Sequence, residues 1–264
     1  MPPPIAHLPV ALSTAATLWY ASAFAAVAPD SWRAGWEAYE AGEYAQAARS
    51  WLPLAEWCDA QAQHALAILL LYGRGLAADS AAAAVLLTPA AADGYTEAAY
   101  ALGTLYQDGD GVERDLVEAA RLYTIAAMAG HAPAMNNLGI LLVLGLGSEP
   151  NAASAHTWFG TAARLGDVEA RRNRDRTAAH ITAAELAASE RAIEAWRPTP
   201  RAAGALALNP ADTYPGVLTL LGSLNRELGG AERPLAPPPV EVVDMMPPPP
   251  VAVPTLSPNI IVMQ

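Results

Sequence analysis

The residues with chemistry to offer are few and scattered. Histidine serves as a general base or a metal ligand, and three lie in one stretch: His64, His131 and His156. They carry no ligand spacing of the HExxH kind. His64 reads as a packed or part-exposed helix residue, and His131, which follows a glycine, as a cap of the helix which that glycine ends. Cys58 is the sole cysteine, so an internal disulfide is excluded. Its place at a helix end reads as a buried, inert thiol, compatible with either redox compartment. Asp108-Gly109-Asp110-Gly111 has the start of a calcium loop, without the further oxygen ligands or the closing glutamate. Its two glycines recur elsewhere without their aspartates, so turn geometry explains them. The GRG and GLG runs have no lysine followed by serine or threonine, as a phosphate loop requires. Ser31, Ser50 and Ser154 have no evident base and acid partners. No catalytic residue, metal site or cofactor is therefore expected.

What repeats instead is a packing pattern. From Asp59 to Asp167 the chain recurs with a period of 36 residues. Gly73 and Gly75 return as Gly109 and Gly111, then as Gly145 and Gly147. Asp79 returns as Asp115 and Asn151, and Ala83 as Ala119 and Ala155. The pair Ala90-Ala91 returns as Ala126-Ala127 and Ala162-Ala163, and Gly94, Gly130 and Gly166 close the units. A period in this range marks a solenoid. Each unit reads as two helices. In the second, Thr96 to Tyr106 has apolar or small residues at helical spacing, and DGDG ends it. Asp115, with Glu118 three residues on, predicts a capping box for a helix over Leu116 to Met128. Neither helix is long enough to stand alone, so the units must bury a shared core. Pro53 and Pro89, one period apart, predict a bend at the same place in two second helices.

The flanks follow from this register. Tyr44 to Glu56 matches a second helix through Ala47 and Trp51, so 31–58 reads as a partial repeat, with a first helix capped by Asp30 or Ser31 and starting near Trp32. Its tryptophans, Trp32, Trp36, Trp51 and Trp57, read as bulky edge packing, with a partner-binding aromatic patch as the alternative. Repeats then occupy 59–94, 95–130 and 131–166. Beyond them Arg174 replaces the leucine of Leu66, Leu102 and Leu138, and 167–197 reads as a C-terminal cap with a polar outer face. Ile181 to Trp196 reads as one amphipathic helix, with Leu186, Ala187, Ile193 and Trp196 on or near one face. Arg171, Arg172, Arg174 and Arg176 read as cap solvation, diluted by Glu169 and Asp175. Residues 198–264 read as a disordered, proline-rich tail, with one apolar stretch, Tyr214 to Leu228, as a transient helix.

The chain of 264 residues has a net charge of -11 and no lysine. An acidic chain without a basic cluster is a poor nucleic-acid binder, because phosphate contacts demand positive charge. Leu8 to Ala28 has no charge in 21 residues. Residues 1–28 thus read as a secretory signal cleaved near Ala23 or Ala25, which leaves no stable membrane insertion, or as a retained anchor over residues 8–28.

The unit resembles the Sel-one-like repeat family, a relative of tetratricopeptide repeats. In the second copy Ala98, Leu102, Gly103, Tyr106, Gly109, Gly111, Val112, Asp115, Ala119, Tyr123, Ala126, Ala127 and Gly130 carry the pattern. Leu66, Gly73, Gly75, Asp79, Ala83 and Gly94 carry it in the first copy, and Leu138, Gly139, Gly145, Gly147, Ala155 and Gly166 in the third. Leu70 and Leu142 depart from the tyrosine, and Asn151 from the aspartate. The resemblance implies an all-α fold: an alpha/alpha superhelical solenoid of three to four helix hairpins with a capping helix. It implies a non-enzymatic protein-binding scaffold or adaptor, periplasmic or secreted, with an unidentified protein partner. A solute-binding protein or an enzyme with a site across repeats, or a membrane-tethered regulator, are the alternatives. The penicillin-binding relatives depend on a disulfide in each repeat, which one cysteine excludes.

Overall fold

In the computed structural model, residues 30–199 and 215–230 are described. Every element among them is an α-helix: α1 (Asp30–Glu40), α2 (Tyr44–Glu56), α3 (Ala60–Tyr72), α4 (Ser80–Ala92), α5 (Thr96–Asp108), α6 (Leu116–Met128), α7 (Ala132–Leu144), α8 (Ala152–Arg164), α9 (Val168–Ala178), α10 (Ala183–Ala195) and α11 (Pro215–Glu227). Residues 1–28 and 231–264 lie outside the described residues, as do the expectations placed on them. No helix among the described residues is long and apolar enough to cross a membrane.

Local signals set the helix ends. Asp59, Asp79, Asn151 and Asp167 each accept a hydrogen bond from a backbone N–H of the first turn at 2.7–2.8 Å. These bonds satisfy amides that have no partner within the helix. Asp115 does the same for α6, accepting from Val117 and Glu118. The reciprocal half of the expected box is replaced, because the Glu118 carboxylate pairs with Arg121 instead. His131 caps the helix that follows it, not the one before: its Nδ1 accepts from the Ala134 N–H at 3.2 Å. It occupies the place that Asp59 and Asp167 hold in their units. α1 begins at Asp30, two residues ahead of the expected start. Pro53 and Pro89 both lie inside their helices.

Loops repeat as faithfully as helices. Gly73, Gly109 and Gly145 end their helices at φ of 60°, 73° and 65°. After each, a backbone bond returns to the first helix: Asp79 N–H to Leu70, Asp115 to Tyr106, Asn151 to Leu142. The second glycine of each loop makes the closest approach. A Cβ on Gly75 would collide with Tyr44 and Ala45, on Gly111 with Ser80 and Ala81, on Gly147 with Leu116 and Val117. Each loop thereby rests on the start of the preceding unit's second helix.

Packing is sequential. Successive helices form hairpins (α1 with α2, α3 with α4, α5 with α6, α7 with α8), and each second helix packs on the next first helix. Leu66, Leu102 and Leu138, with Ala83, Ala119 and Ala155, are all buried in one continuous core. Alanine lets the axes approach, and Trp51, Leu87, Tyr123 and Phe159 fill the bulky positions beside it. Gly103 and Gly139 lie directly against the Tyr123 and Phe159 rings.

The C-terminal segment departs from this order. α10, held by a complete capping box between Thr182 and Glu185, lies mainly on α8. Its buried residues are Ser189 and Ile193; Ala187 is exposed and Leu186 half-buried, a correction to the expected face. The cause is His156, a polar group on α8 that requires a polar partner, which Ser189 supplies. The chain then runs back: Thr199 N–H donates to the Met128 carbonyl at the end of α6. Within the Tyr214 to Leu228 stretch, Pro215–Glu227 forms α11, which packs on α2 and α4; Val217, Leu221, Leu224 and Leu228 are buried in the common core.

Cys58 stands at the closing-glycine position with φ of 60°, a left-handed conformation that disfavours a side chain. It is half-buried rather than buried, and burial pushes its thiol pKa up. Cys58→Gly is expected to raise unfolding stability by about 1 kcal/mol, and Gly111→Ala to lower it by about 2 kcal/mol or more, in urea titrations.

Candidate interaction surface

Two surfaces follow from the hairpin order, one made by first helices and one by second helices. On the first-helix side, one register position carries His64, Tyr100 and Asn136, all at most 8% exposed. Each meets a group from the next unit. The His64 ring lies 5.4 Å from Tyr95, and Tyr100 lies 4.4 Å from His131. Asn136 Oδ1 accepts from Asn173 Nδ2 at 2.9 Å. Tyr123 OH reaches Thr104 at 3.3 Å and Gln107 at 3.1 Å. His64, Tyr100 and Asn136 are thus spent on joining units, and Tyr123 on joining the two helices of its own unit.

Burial decides their protonation. It drives the His64 pKa down to about 4, with His131 adding repulsion, and it drives His131 to about 4 as well. His64 Nε2 is buried with no hydrogen-bond partner, so a proton there would be an uncompensated charge. His156, on α8, bonds through Nδ1 to Ser189 Oγ at 2.7 Å, and burial lowers its pKa too. Among the described residues, no three His, Cys, Asp or Glu side chains gather as a metal-holding group. Asp108 and Asp110 are exposed at the turn. Arg172 pairs with Glu169, and Arg174 with Asp175 at 2.7 Å, on the surface of α9.

The four tryptophans divide. Trp51 is 1% exposed, stacks on Trp32 at 5.4 Å, and donates Nε1–H to the Trp32 carbonyl at 3.4 Å. A Cβ on Gly35 would collide with its ring. Trp32, Trp36 and Trp57 are half-buried, and Trp36 stacks on Tyr39. Tyr39 OH in turn accepts from Arg74 Nη1 at 3.0 Å, and Arg74 lies 5.3 Å from the Tyr44 and Tyr72 rings. This aromatic group therefore welds the N-terminal unit to the loop of the first full repeat.

The second-helix side is where a separate segment already sits. α11 lies across α2 and α4, and two polar contacts fix its end. Arg49 Nε donates to the Leu228 carbonyl at 3.1 Å. The Ala77 N–H donates to Glu227 Oε1 at 2.9 Å. Beside them Leu76 is buried, whereas its counterparts Val112 and Ser148 are half-buried and exposed. Farther along the same side Val85 is 39% and Val117 63% exposed. None of Arg49, Leu76 or Ala77 was marked by the repeat pattern. They depart from it, and that departure is the signal that could have found them.

These features define a helix-hairpin repeat solenoid whose recurring residues serve packing. Three stretches, 60–95, 96–131 and 132–167, match the Sel1 repeat. The chain thus carries three Sel1 repeats, over those residues. It is similar in structure to a Sel1 repeat protein from Oxalobacter formigenes, with 31% identity, 53% of this chain and 58% of that one covered, and a TM-score of 0.51. It is also similar to c5321, a protective antigen present in uropathogenic Escherichia coli strains displaying an SLR fold. There the identity is 26%, the coverage 72% of this chain and 37% of that one, and the TM-score 0.52. The chain thus spans less than two-thirds of either protein. No curated protein matches it in sequence.

The histidine burial gives a pH dependence. Above pH 6.5 His64 is neutral both folded and unfolded; between 6.5 and about 4 only the unfolded chain takes the proton. Stability should therefore fall as pH falls through that window, by up to about 1.4 kcal/mol per pH unit for a single histidine. Urea midpoints at pH 7, 5.5 and 4.5 are expected to show this slope in the native chain and a shallower one in His64→Leu.

Proposed function

We propose that this protein is a non-enzymatic scaffold, exported from the cytoplasm, that binds a protein partner through its repeat array. Sel1 repeat proteins are generally interaction scaffolds. The observation that carries the reading is the use made of the recurring side chains. Leucine, alanine and glycine positions are buried between helices, and the polar ladder of His64, Tyr100 and Asn136 is consumed in unit-to-unit contacts. Small-ligand sites need convergent polar groups in an enclosed pocket. What the array leaves available is extended helical surface, which suits a macromolecule. The uncharged stretch over residues 8–28 supports export, and the similarity to an antigen of uropathogenic Escherichia coli agrees with it.

Affinity capture with the full native chain, read by mass spectrometry, tests the scaffold. One protein is expected to be retained saturably, with no small molecule at stoichiometric amount. A small molecule co-purifying one to one, without a protein, would overturn the reading. Terminal sequencing of the native protein tests export: the mature chain is expected to begin near residue 24 or 26, and a chain still starting at Met1 would contradict cleavage.

A further inference from the structure

The cleft that holds α11 is built differently from its repeats. Arg49 has Val85 and Arg121 as its counterparts one and two periods on, and Arg121 is paired with Glu118. Ala77 has Glu113 and Glu149 as its counterparts. A glutamate there would repel an arriving carboxylate, and a valine would offer no donor. Among the described residues, the stretch across α2 and α4 combines an apolar floor, the Arg49 guanidinium and the Ala77 backbone N–H at one end. Arg49, which also bonds Gln46, meets the last carbonyls of α11, where the helix dipole is negative. The Ala77 amide meets the carboxylate of Glu227. Apolar residues at 217, 221, 224 and 228 lie along one side of the helix, the spacing used when an amphipathic helix enters a groove.

We propose that this cleft is a helix-binding site, that α11 occupies it as a built-in ligand, and that the protein partner takes its place. The partner class follows from the occupant. It is an amphipathic helix with apolar residues at i, i+4, i+7 and i+11 and a glutamate one position before the last of them, its C-terminal end at Arg49. The partner half rests on the scaffold reading above; the cleft itself does not. Exchange is feasible because α11 adds to an array that is already continuous. Its four buried side chains are offset by the ordering of a 13-residue helix. Tethering supplies the advantage: a segment of the same chain is present at about millimolar effective concentration. A free helix competes only against that.

The test uses the full chain and a fluorescein-labelled peptide of residues 214–230, followed by anisotropy. The double variant Leu221→Asp/Leu224→Asp empties the cleft. Gly222→Pro empties it by breaking α11 without placing a charge near the array. Either variant, with its array melting transition retained by circular dichroism, is expected to bind the peptide at least about tenfold more tightly than the native chain. Adding Ala77→Glu should abolish that gain. No binding by both folded variants, or equal binding by native and emptied chains, would overturn the proposal. If the peptide binds the emptied cleft but affinity capture retains no protein, the scaffold reading falls and the cleft stands.

Discussion

The structure depends on the contact between each inter-helix loop and the second helix of the unit before it. Gly75, Gly111 and Gly147 bring loop backbone onto residues 44–45, 80–81 and 116–117 with no room for a side chain. These contacts lie one period apart because the loops do. They set the step from unit to unit, and everything else on the repeat follows that step. Once it is set, alanine must occupy the close helix crossings and an aromatic or leucine must fill the space beside them. A Cβ at any one of the three glycines would push two units apart, and the displacement would reach every contact beyond it.

Because the step is uniform, stability is a sum of neighbouring contacts. The ends of such an array need help, and this chain supplies it in two ways. At the N-terminal end, Trp32, Trp51, Tyr39 and Arg74 join α1 and α2 to the first full repeat. At the C-terminal end, α10 folds over α8, with His156 and Thr157 each hydrogen-bonded to Ser189. Thr199 bonds to Met128 at the end of α6, and α11 lies on α2 and α4. One helix thus closes the C-terminal end of the array and another covers the second helices near its start.

Much of this was legible in the sequence because it repeats. Period, helix pairs, caps at Asp79 and Asp115, and the roles of the glycines each appear three times, so chance resemblance cancels. What appears once was harder to read. Whether His131 caps the helix before it or after it depends on which backbone amides lie within reach. Trp51 and Trp32 differ in burial though both are tryptophans of one unit, because Gly35 admits the Trp51 ring between α1 and α2. α11 is the extreme case. Its thirteen residues sit among prolines, and only the face of α2 and α4, far away in sequence, makes it a buried helix. The absence of glutamate at Ala77 was visible beside Glu113 and Glu149, but its meaning needed the carboxylate of Glu227 beside it.

Native-state hydrogen exchange of the full chain tests the central claim, that a neighbour-coupled array carries α11 as a separable addition. The account predicts that amides in α5 and α6, with neighbours on both sides, exchange most slowly. Protection should decline toward α1 and α10, and α11 should open first and on its own. One common opening free energy for α11 and for α3 to α8 would contradict it, because α11 would then be part of the folding unit rather than a ligand lodged upon it.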